Sequence, residues 1–281
     1  MSLALEVKTK KLKKELYKWY KANKREYSWR SSNNPWKIFL LETIAQQTQL
    51  NRANKYYEVF IKAFPTPEIM SKASTKRILE LWSGLGYNNR AKRLHEASKI
   101  ISSIGFDNLY PNFETLPGVG KYTNSAIRSF AYGDKIITED TNVKRILSRF
   151  FGIDNVDEYL KKYSYLLLSR VSSRDINQAF MDFGSQVCKS ISPNCTQCPV
   201  EDSCGKYFKV ENKSLEKFKG SNRETRGKIL KFLISEEPVS FYKLKKEINI
   251  SEEKLKKALT GMKKDNLIKV NKNNVIEINS D

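Results

Sequence analysis

The placement of the cysteines restricts this chain more than any other feature. All four, Cys188, Cys195, Cys198 and Cys204, fall within 17 of the 281 residues, in the spacing C-x6-C-x2-C-x5-C. Thiols crowded in this way are poor candidates for a disulfide framework, and no other cysteine exists to pair with them. They point to a loop closed around a metal centre. Structural zinc sites usually pair two close cysteine knuckles, whereas a single CxxC flanked by longer loops suits an iron–sulfur cube equally well. The donor chemistry by itself leaves both open.

Charge narrows the partner. Lys and Arg number 51 against 31 Asp and Glu, a formal charge of +20. A surplus that large calls for a polyanion, nucleic acid first and an acidic membrane surface second. No apolar run approaches the roughly 20 residues that span a bilayer. The lysine-rich stretch Met1 to Lys24 has neither the apolar block nor the cleavage site of a secretory signal. The expectation is an intracellular protein, of cytoplasm or nucleoid, with no membrane partner.

A possible grip on such a polyanion is Leu116-Pro117-Gly118-Val119-Gly120-Lys121-Tyr122-Thr123. Two glycines around one small apolar residue let a turn bare its amides at the start of a helix, where they and the helix dipole can hold a phosphate. Asp140 follows twenty residues after Gly120, just before the apolar-periodic segment Thr141-Asn142-Val143-Lys144-Arg145-Ile146. Upstream, residues 8–24 read as an amphipathic helix with Leu12, Leu16, Trp19 and Tyr20 on one side. Pro35 suits the opening of a helix from Trp36 to about Asn51, apolar almost all round and interrupted by Glu42. A carboxylate in that setting must be hydrogen-bonded, paired or protonated. Leu81 to Arg90 contains a Gly-rich turn, Gly84-Leu85-Gly86-Tyr87-Asn88. His95, the only histidine, reads as a structural residue of a helix over 90–101.

These motifs together resemble the helix-hairpin-helix DNA glycosylases, the superfamily of endonuclease III and MutY. LPGVGKYT followed by DTNVKRI is similar to their hairpin and catalytic segment, and the resemblance makes Asp140 the catalytic carboxylate. Glu42-Thr43-Ile44-Ala45-Gln46-Gln47-Thr48-Gln49 resembles the MutY helix with a catalytic glutamate followed by QQTQ. It implies that Glu42 donates a proton to a base and that Gln46 and Gln47 probe the opened stack. Tyr87 matches the first tyrosine of a MutY GLGYY turn, a wedge into DNA, while Asn88 departs from the second. Asn177-Gln178-Ala179-Phe180-Met181-Asp182 resembles a family segment whose acid lies near the adenine pocket. Trp29, Arg30, Asn142 and Asp182 make up the expected base pocket. Leu116, Gly118, Val119, Gly120, Lys121 and Thr123 are the expected DNA contacts of the hairpin. The family's cysteine spacing holds a [4Fe–4S] cluster, which decides for iron–sulfur over zinc. Tyr122 stands where endonuclease III has a lysine that forms a Schiff base. A phenol cannot do that, so a glycosylase with weak or no strand cleavage is expected.

Beyond a hydrophilic linker at about 211–220, a helix, a short strand, two helices and a hairpin resemble a winged-helix domain, with 19 Lys and Arg against 11 Asp and Glu from Gly205 onward. DNA and a protein are both open as its partner. MutY enzymes instead carry a larger 8-oxoguanine-recognition domain, so the opposite-base preference stays open. The expected fold is mainly α and two-lobed. Residues 25–135 form a six-helix barrel lobe with the hairpin, 1–24 and 136–210 a cluster lobe, and 222–281 the winged helix. The expected function is excision of a mispaired or damaged base from double-stranded DNA by a monomer. Adenine opposite guanine or 8-oxoguanine leads, with thymine or uracil opposite guanine as the alternative. A non-catalytic winged-helix DNA-binding protein is the reading of another class, and the presence of both Glu42 and Asp140 counts against it.

Overall fold

The computed structural model describes residues 2–208 and 218–279. Residues 211–217 of the expected linker, and 209 and 210 before them, lie outside the described residues. In chain order the helices are α1 (Ser2–Asn23), α2 (Pro35–Ala45), α3 (Leu50–Ala63), α4 (Pro67–Ser71), α5 (Thr75–Trp82), α6 (Asn89–Ile104), α7 (Phe106–Leu109), α8 (Lys121–Ala131), α9 (Thr141–Phe151), α10 (Val156–Leu168) and α11 (Ser173–Gln186). The last segment runs α12 (Asn222–Ser235), β1 (Val239–Ser240), α13 (Phe241–Ile248), α14 (Glu252–Lys264), β2 (Ile268–Val270) and β3 (Val275–Ile278). The mainly α class read from the sequence is the observed one. Two compact units are present, each discontinuous: residues 1–39 with 119–212, and 40–118 with 213–281.

The first unit is built on α1, α9, α10 and α11. In α1, Leu5, Thr9, Leu12, Leu16 and Tyr20 recur at three- and four-residue steps, so one stripe faces the core. Thr9, the polar member of that stripe, is buried with its hydroxyl 2.7 Å from that of Tyr159 and donating to the Leu5 carbonyl. α9 contributes Val143, Ile146, Leu147 and Phe150, and α11 contributes Ile176, Ala179, Phe180 and Phe183. Trp19 meets Phe183 edge to face at 5.1 Å. Ser172 caps α11 and Asn155 caps α10, each side chain accepting an amide of the first turn. α9 ends on Gly152 at φ +71°, a left-handed stop that glycine adopts without strain.

In the second unit Trp82, fully buried, closes the end of α5, donating its indole N–H to the Gly86 carbonyl and meeting Phe60 edge to face. Ala91, Leu94, Ala97 and Ile101 form the buried face of α6. The chain from α12 onward belongs to this unit. Its antiparallel sheet has the order β1-β3-β2, with Val239 opposite Ile276 and Ile268 opposite Ile278. Buried Ile276 and Ile278 alternate with exposed Glu277, the pattern of a half-buried strand. Helix, strand, two helices and a two-stranded hairpin follow in the order expected from the sequence. Lys92 of α6 donates to the Asn266 carbonyl at 2.9 Å, and Lys76 pairs with Glu237 at 3.1 Å, tying that segment to the helices before it.

One expected element is corrected. The single helix foreseen from Trp36 to about Asn51 is two, α2 and α3, broken at residues 46–49 with Gln47 at φ +53°. The break has a cause beyond local propensity. The Arg90 guanidinium donates to the carbonyls of Thr43 at 3.2 Å, Ile44 at 3.1 Å, and Gln46, so the helix ends against a cation.

Candidate active site and cysteine centre

Asp140 is held from three directions within the first unit. It is the N-cap of α9, its carboxylate accepting the Val143 amide at 2.7 Å and the Asn142 side-chain amide at 2.8 Å. The strand-like approach to it is stapled by Asn177 of α11. That buried side chain accepts the Thr138 amide at 2.9 Å and donates to the Ile136 carbonyl at 2.8 Å and the Ser129 hydroxyl at 3.0 Å. Behind Asn142, Arg145 donates to the Asn142 side-chain oxygen at 2.7 Å, to the Gly184 carbonyl at 2.8 Å and to the Cys188 carbonyl at 3.0 Å. A chain of polar contacts therefore runs from a cysteine backbone to the carboxylate. Position 184 has to be glycine, since a Cβ there would lie 2.5 Å from the Asn142 side-chain oxygen. Burial pushes the Asp140 carboxyl above its ordinary value, opposed by the Val143 and Asn142 donors and the Arg145 charge.

The hairpin residues divide by what they can offer. Leu116, Val119 and Thr123 are buried, so their side chains pack the turn and only their backbone groups are available. Gly118 is at φ +82°, and a Cβ there would lie 3.2 Å from Arg93 Cβ. Gly120 caps α8 with no side chain over the first-turn amides. Lys121 is exposed beside them, and Tyr122 is half-buried at the second helical position.

Glu42 is buried in α2, surrounded in sequence by the buried Ile38, Phe39, Leu40, Leu41, Thr43 and Ile44. Gln46 is half-buried and Gln47 exposed in the turn that follows. Tyr87, at φ +47°, projects from the glycine turn with 42 % of its surface exposed. Arg90 joins the two loops, since besides ending α2 it donates to the Gly86 carbonyl at 3.2 Å and lies over the Trp82 and Tyr87 rings. Burial lowers the Arg90 guanidinium to about 10, which leaves it charged at neutral pH. Gly84 is at φ +94°, where a side chain is strained, and a Cβ would lie 2.6 Å from the Tyr56 hydroxyl, which donates to the Ser83 carbonyl.

Asp182 is fully buried and its carboxylate is occupied by two cations. Arg25 donates to it at 2.5 and 2.9 Å, and Arg30 at 2.6 Å. Arg30 also lies over Trp29, 5.3 Å from its centroid, and Trp29 stacks on Tyr27. Trp29, Arg30 and Asp182 thus form one cluster with Arg25. Asn142 belongs with Asp140 instead. His95 is buried, its ring nitrogen 3.4 Å from the Ser71 carbonyl and its proton affinity lowered by burial, as befits a structural residue.

All four cysteines line one cavity, with Arg149, Val187, Lys206 and Phe208. The loop is shaped around them. Arg149 donates to the carbonyls of Lys189 at 2.6 Å and Ser190 at 2.9 Å, and approaches Cys188 Sγ at 3.6 Å. The Lys206 amide donates to Cys204 Sγ at 3.4 Å. Among the described residues no three Cys, His, Asp or Glu side chains converge as ligands of a single ion. Four thiols lining one cavity are a donor set that an iron–sulfur cube or a zinc ion can use. Burial pushes the Cys198 thiol up to about 11, so a cationic centre is what would turn it into a thiolate.

Asn177, Arg145 and Arg90 are the positioning residues that sequence reading left unassigned. Asn177 and Arg145 sat inside motifs quoted for other residues. Arg90 closes the glycine turn in sequence, and its contact with the α2 carbonyls arises only on folding.

Among the described residues no helix is long and apolar enough to cross a membrane. Residues 41–169 match the family model of the HhH-GPD superfamily base excision DNA repair protein. The chain is 31 % identical over 233 residues to the adenine DNA glycosylase of Mycobacterium tuberculosis, covering 78 % of this chain and 77 % of that one. It is 33 % identical to that of Buchnera aphidicola, covering 68 % of this chain and 56 % of the relative. It is 34 % identical to that of Homo sapiens, covering 71 % and 40 %. Among solved structures, a thermostable thymine-DNA glycosylase superposes with a TM-score of 0.66 at 26 % identity, covering 73 % of this chain and 98 % of that one. Endonuclease III in a non-covalent DNA complex gives 0.59 at 20 % identity, over 72 % and 96 %, a likeness of fold. With the hairpin, the capped aspartate and the cysteine loop in place, the chain belongs to the HhH-GPD superfamily of base excision DNA repair proteins and, within it, to the family of the adenine DNA glycosylases.

Proposed function

We propose that the protein is a monofunctional DNA glycosylase that hydrolyses the N-glycosidic bond of adenine mispaired with guanine or 8-oxoguanine in double-stranded DNA. The observation that carries this reading is the setting of Asp140. A carboxylate fixed by the Val143 amide and Asn142, with Arg145 behind it, is oriented before substrate arrives. N-glycosidic cleavage builds positive charge on the sugar, as in glycoside hydrolysis. A fixed, partly desolvated anion stabilises that cation at no cost of reorganisation.

The other roles follow. A base inside a duplex is out of reach, and its extrusion costs roughly a few kcal/mol, less at a mispair. The α8 amides behind Gly120, with Lys121, would hold the backbone phosphates, and Gln46, Gln47 and Tyr87 would fill the vacated stack. Glu42, an acid on an apolar helix, would protonate the departing base and then help place the attacking water. Tyr122 cannot form a Schiff base, so the strand stays intact. Cys188, Cys195, Cys198 and Cys204 would hold a [4Fe–4S] cluster, whose contribution is to fix a cationic loop, because hydrolysis of the base moves no electron.

A thymine or uracil substrate is the second reading, favoured by the likeness to the thymine-DNA glycosylase structure at 26 % identity. The adenine relatives are more similar, at 31–34 %. Single-turnover base release from duplexes carrying A, T or U opposite guanine and 8-oxoguanine tests both. Release of adenine alone is expected; release of T or U instead would move the protein to the second reading.

A further inference from the structure

Residues 24–34 link α1 to α2 through one short 3-10 turn, Ser28–Ser31, whose start no side chain caps. The Arg30 amide donates to the Tyr27 carbonyl and the Ser32 amide to the Trp29 carbonyl, each at 3.1 Å. A turn of that kind has poor hydrogen-bond geometry and little stability of its own. It nevertheless carries a stack. Trp29 lies on Tyr27 with ring centroids 5.1 Å apart and planes 13° from parallel, and the Arg30 guanidinium lies 5.3 Å from the Trp29 centroid. Only 10 % of the Arg30 side chain is exposed, and its Nε is buried without a hydrogen-bond partner. Flat aromatics beside a guanidinium plane are what an unstacked nucleobase lies against. An unmatched buried donor is a place for one of its acceptors.

One residue of α11 fixes this turn from outside. Arg174 donates to the Arg30 carbonyl at 2.8 Å, to the Asn33 side-chain oxygen at 2.6 Å and to the Phe130 carbonyl. Phe130 lies in the last turn of α8, where unpaired carbonyls and the helix dipole favour a cation. The other end of α8 starts at Lys121, behind Gly120 and the amides of the phosphate grip. A single guanidinium thus joins the phosphate-gripping helix to the turn that carries Trp29 and Arg30. Arg30 is fixed twice, its main chain by Arg174 and its side chain by Asp182 at 2.6 Å. All these residues belong to the first unit.

We propose that Arg174 is a positioning residue for base excision, holding the Trp29–Arg30 turn in register with α8 so that an extruded base and its backbone phosphates are gripped together. The assignment rests on the glycosylase reading above. Base and backbone are covalently tied, so a turn that drifts relative to α8 misplaces the glycosidic bond against Asp140. A misplacement of about 1 Å can cost about a hundredfold in rate. Arg174 acts through the turn, not on the base.

The full-length protein and two variants, Arg174→Met and Arg174→Lys, are titrated with two duplexes to test this. One carries 2′-fluoro-deoxyadenosine opposite guanine, where the fluorine disfavours the sugar cation and blocks cleavage. The other carries a tetrahydrofuran abasic site opposite guanine and offers the turn no base. Arg174→Met is expected to bind the adenine duplex about tenfold more weakly than wild type and the abasic duplex as wild type does. Its single-turnover adenine release should be about a hundredfold slower at saturating enzyme. Arg174→Lys keeps the charge but has one nitrogen for three oxygens, so it should show the same one-sided loss, smaller in size. Denaturant melts establish that each variant is folded in the assay, and if Arg174→Met is not, Arg174→Lys makes the comparison alone. Equal weakening on both duplexes overturns the proposal, because a merely structural role does not distinguish them. Unchanged binding of both overturns it as well. Adenine release by wild type, followed in parallel, separates the cases: with release present, either result removes the role of Arg174 alone, whereas no release of adenine removes the reading beneath it.

Discussion

Replacing Asp140 by asparagine separates its cap from its charge. The asparagine oxygen can still accept the Val143 amide, now at 2.7 Å, and asparagine is as good an N-cap as aspartate. The contact with Asn142 is lost, because two amide NH2 groups would face each other where a 2.8 Å bond stands. That costs about 1 kcal/mol. Against it, the wild-type carboxyl is raised by burial, so it holds its proton more tightly folded than unfolded. Stability from such a group is fully present at low pH and is lost as pH rises through the folded-state value, leaving the native protein at pH 7 with the cost of a desolvated charge. Asp140→Asn removes that cost. The two effects oppose, and the variant is expected to unfold within about 1 kcal/mol of wild type at neutral pH. Its relative stability should decline as pH falls toward the ordinary carboxylate range. Asp140→Ala, which gives up the cap, should lose about 1 kcal/mol more. Base release should fall at least about a thousandfold in Asp140→Asn, since deleting even one neutral donor from a preorganised site costs about 100- to 1000-fold. Denaturant melts over that pH range and single-turnover base release measure both. A variant several kcal/mol less stable, or one that still releases base at near wild-type rate, would refute the reasoning.

Three further changes test other parts of the site. Tyr122→Lys is expected to add strand cleavage and a borohydride-trappable adduct with DNA; neither appearing would show that position 122 does not reach the sugar. Arg90→Met should cost about 3 kcal/mol by leaving the α2 carbonyls without their cation, read by denaturant melts, and a near-neutral result would remove Arg90 from the role given to it. Cys198→Ala should purify with less iron and weaker visible absorption and bind duplex DNA less tightly, while stoichiometric zinc in the wild-type protein would overturn the cluster.

Much of the fold was legible because each signal was local. The stripe of Leu12, Leu16 and Tyr20 is the buried face of α1, and Pro35 is the first residue of α2. Asp140 was legible for the same reason, as a cap in front of an apolar-periodic run. What the sequence hid depends on distant partners. Gln46 to Gln49 are polar but include neither glycine nor proline to mark a break, and Arg90, more than forty residues away, ends α2. Asp182 read as a base-pocket acid, and nothing local showed that Arg25 and Arg30 reach it across about 150 residues of chain and that it is completely buried. Asn177 has the same character, since only folding brings Thr138 and Ile136 to its side chain.

The interleaving of the first unit bears on how the chain leaves the ribosome. Leu12, Leu16 and Tyr20 of α1 are buried against residues contributed by α9, α10 and α11. These have not been synthesised when α1 emerges. At about 5–20 residues per second the apolar stripe waits on the order of ten to thirty seconds for Phe180 and Phe183. The lysines between those leucines keep the nascent helix soluble through that interval, and a translational arrest between residues 40 and 118 would release a fragment with this stripe uncovered.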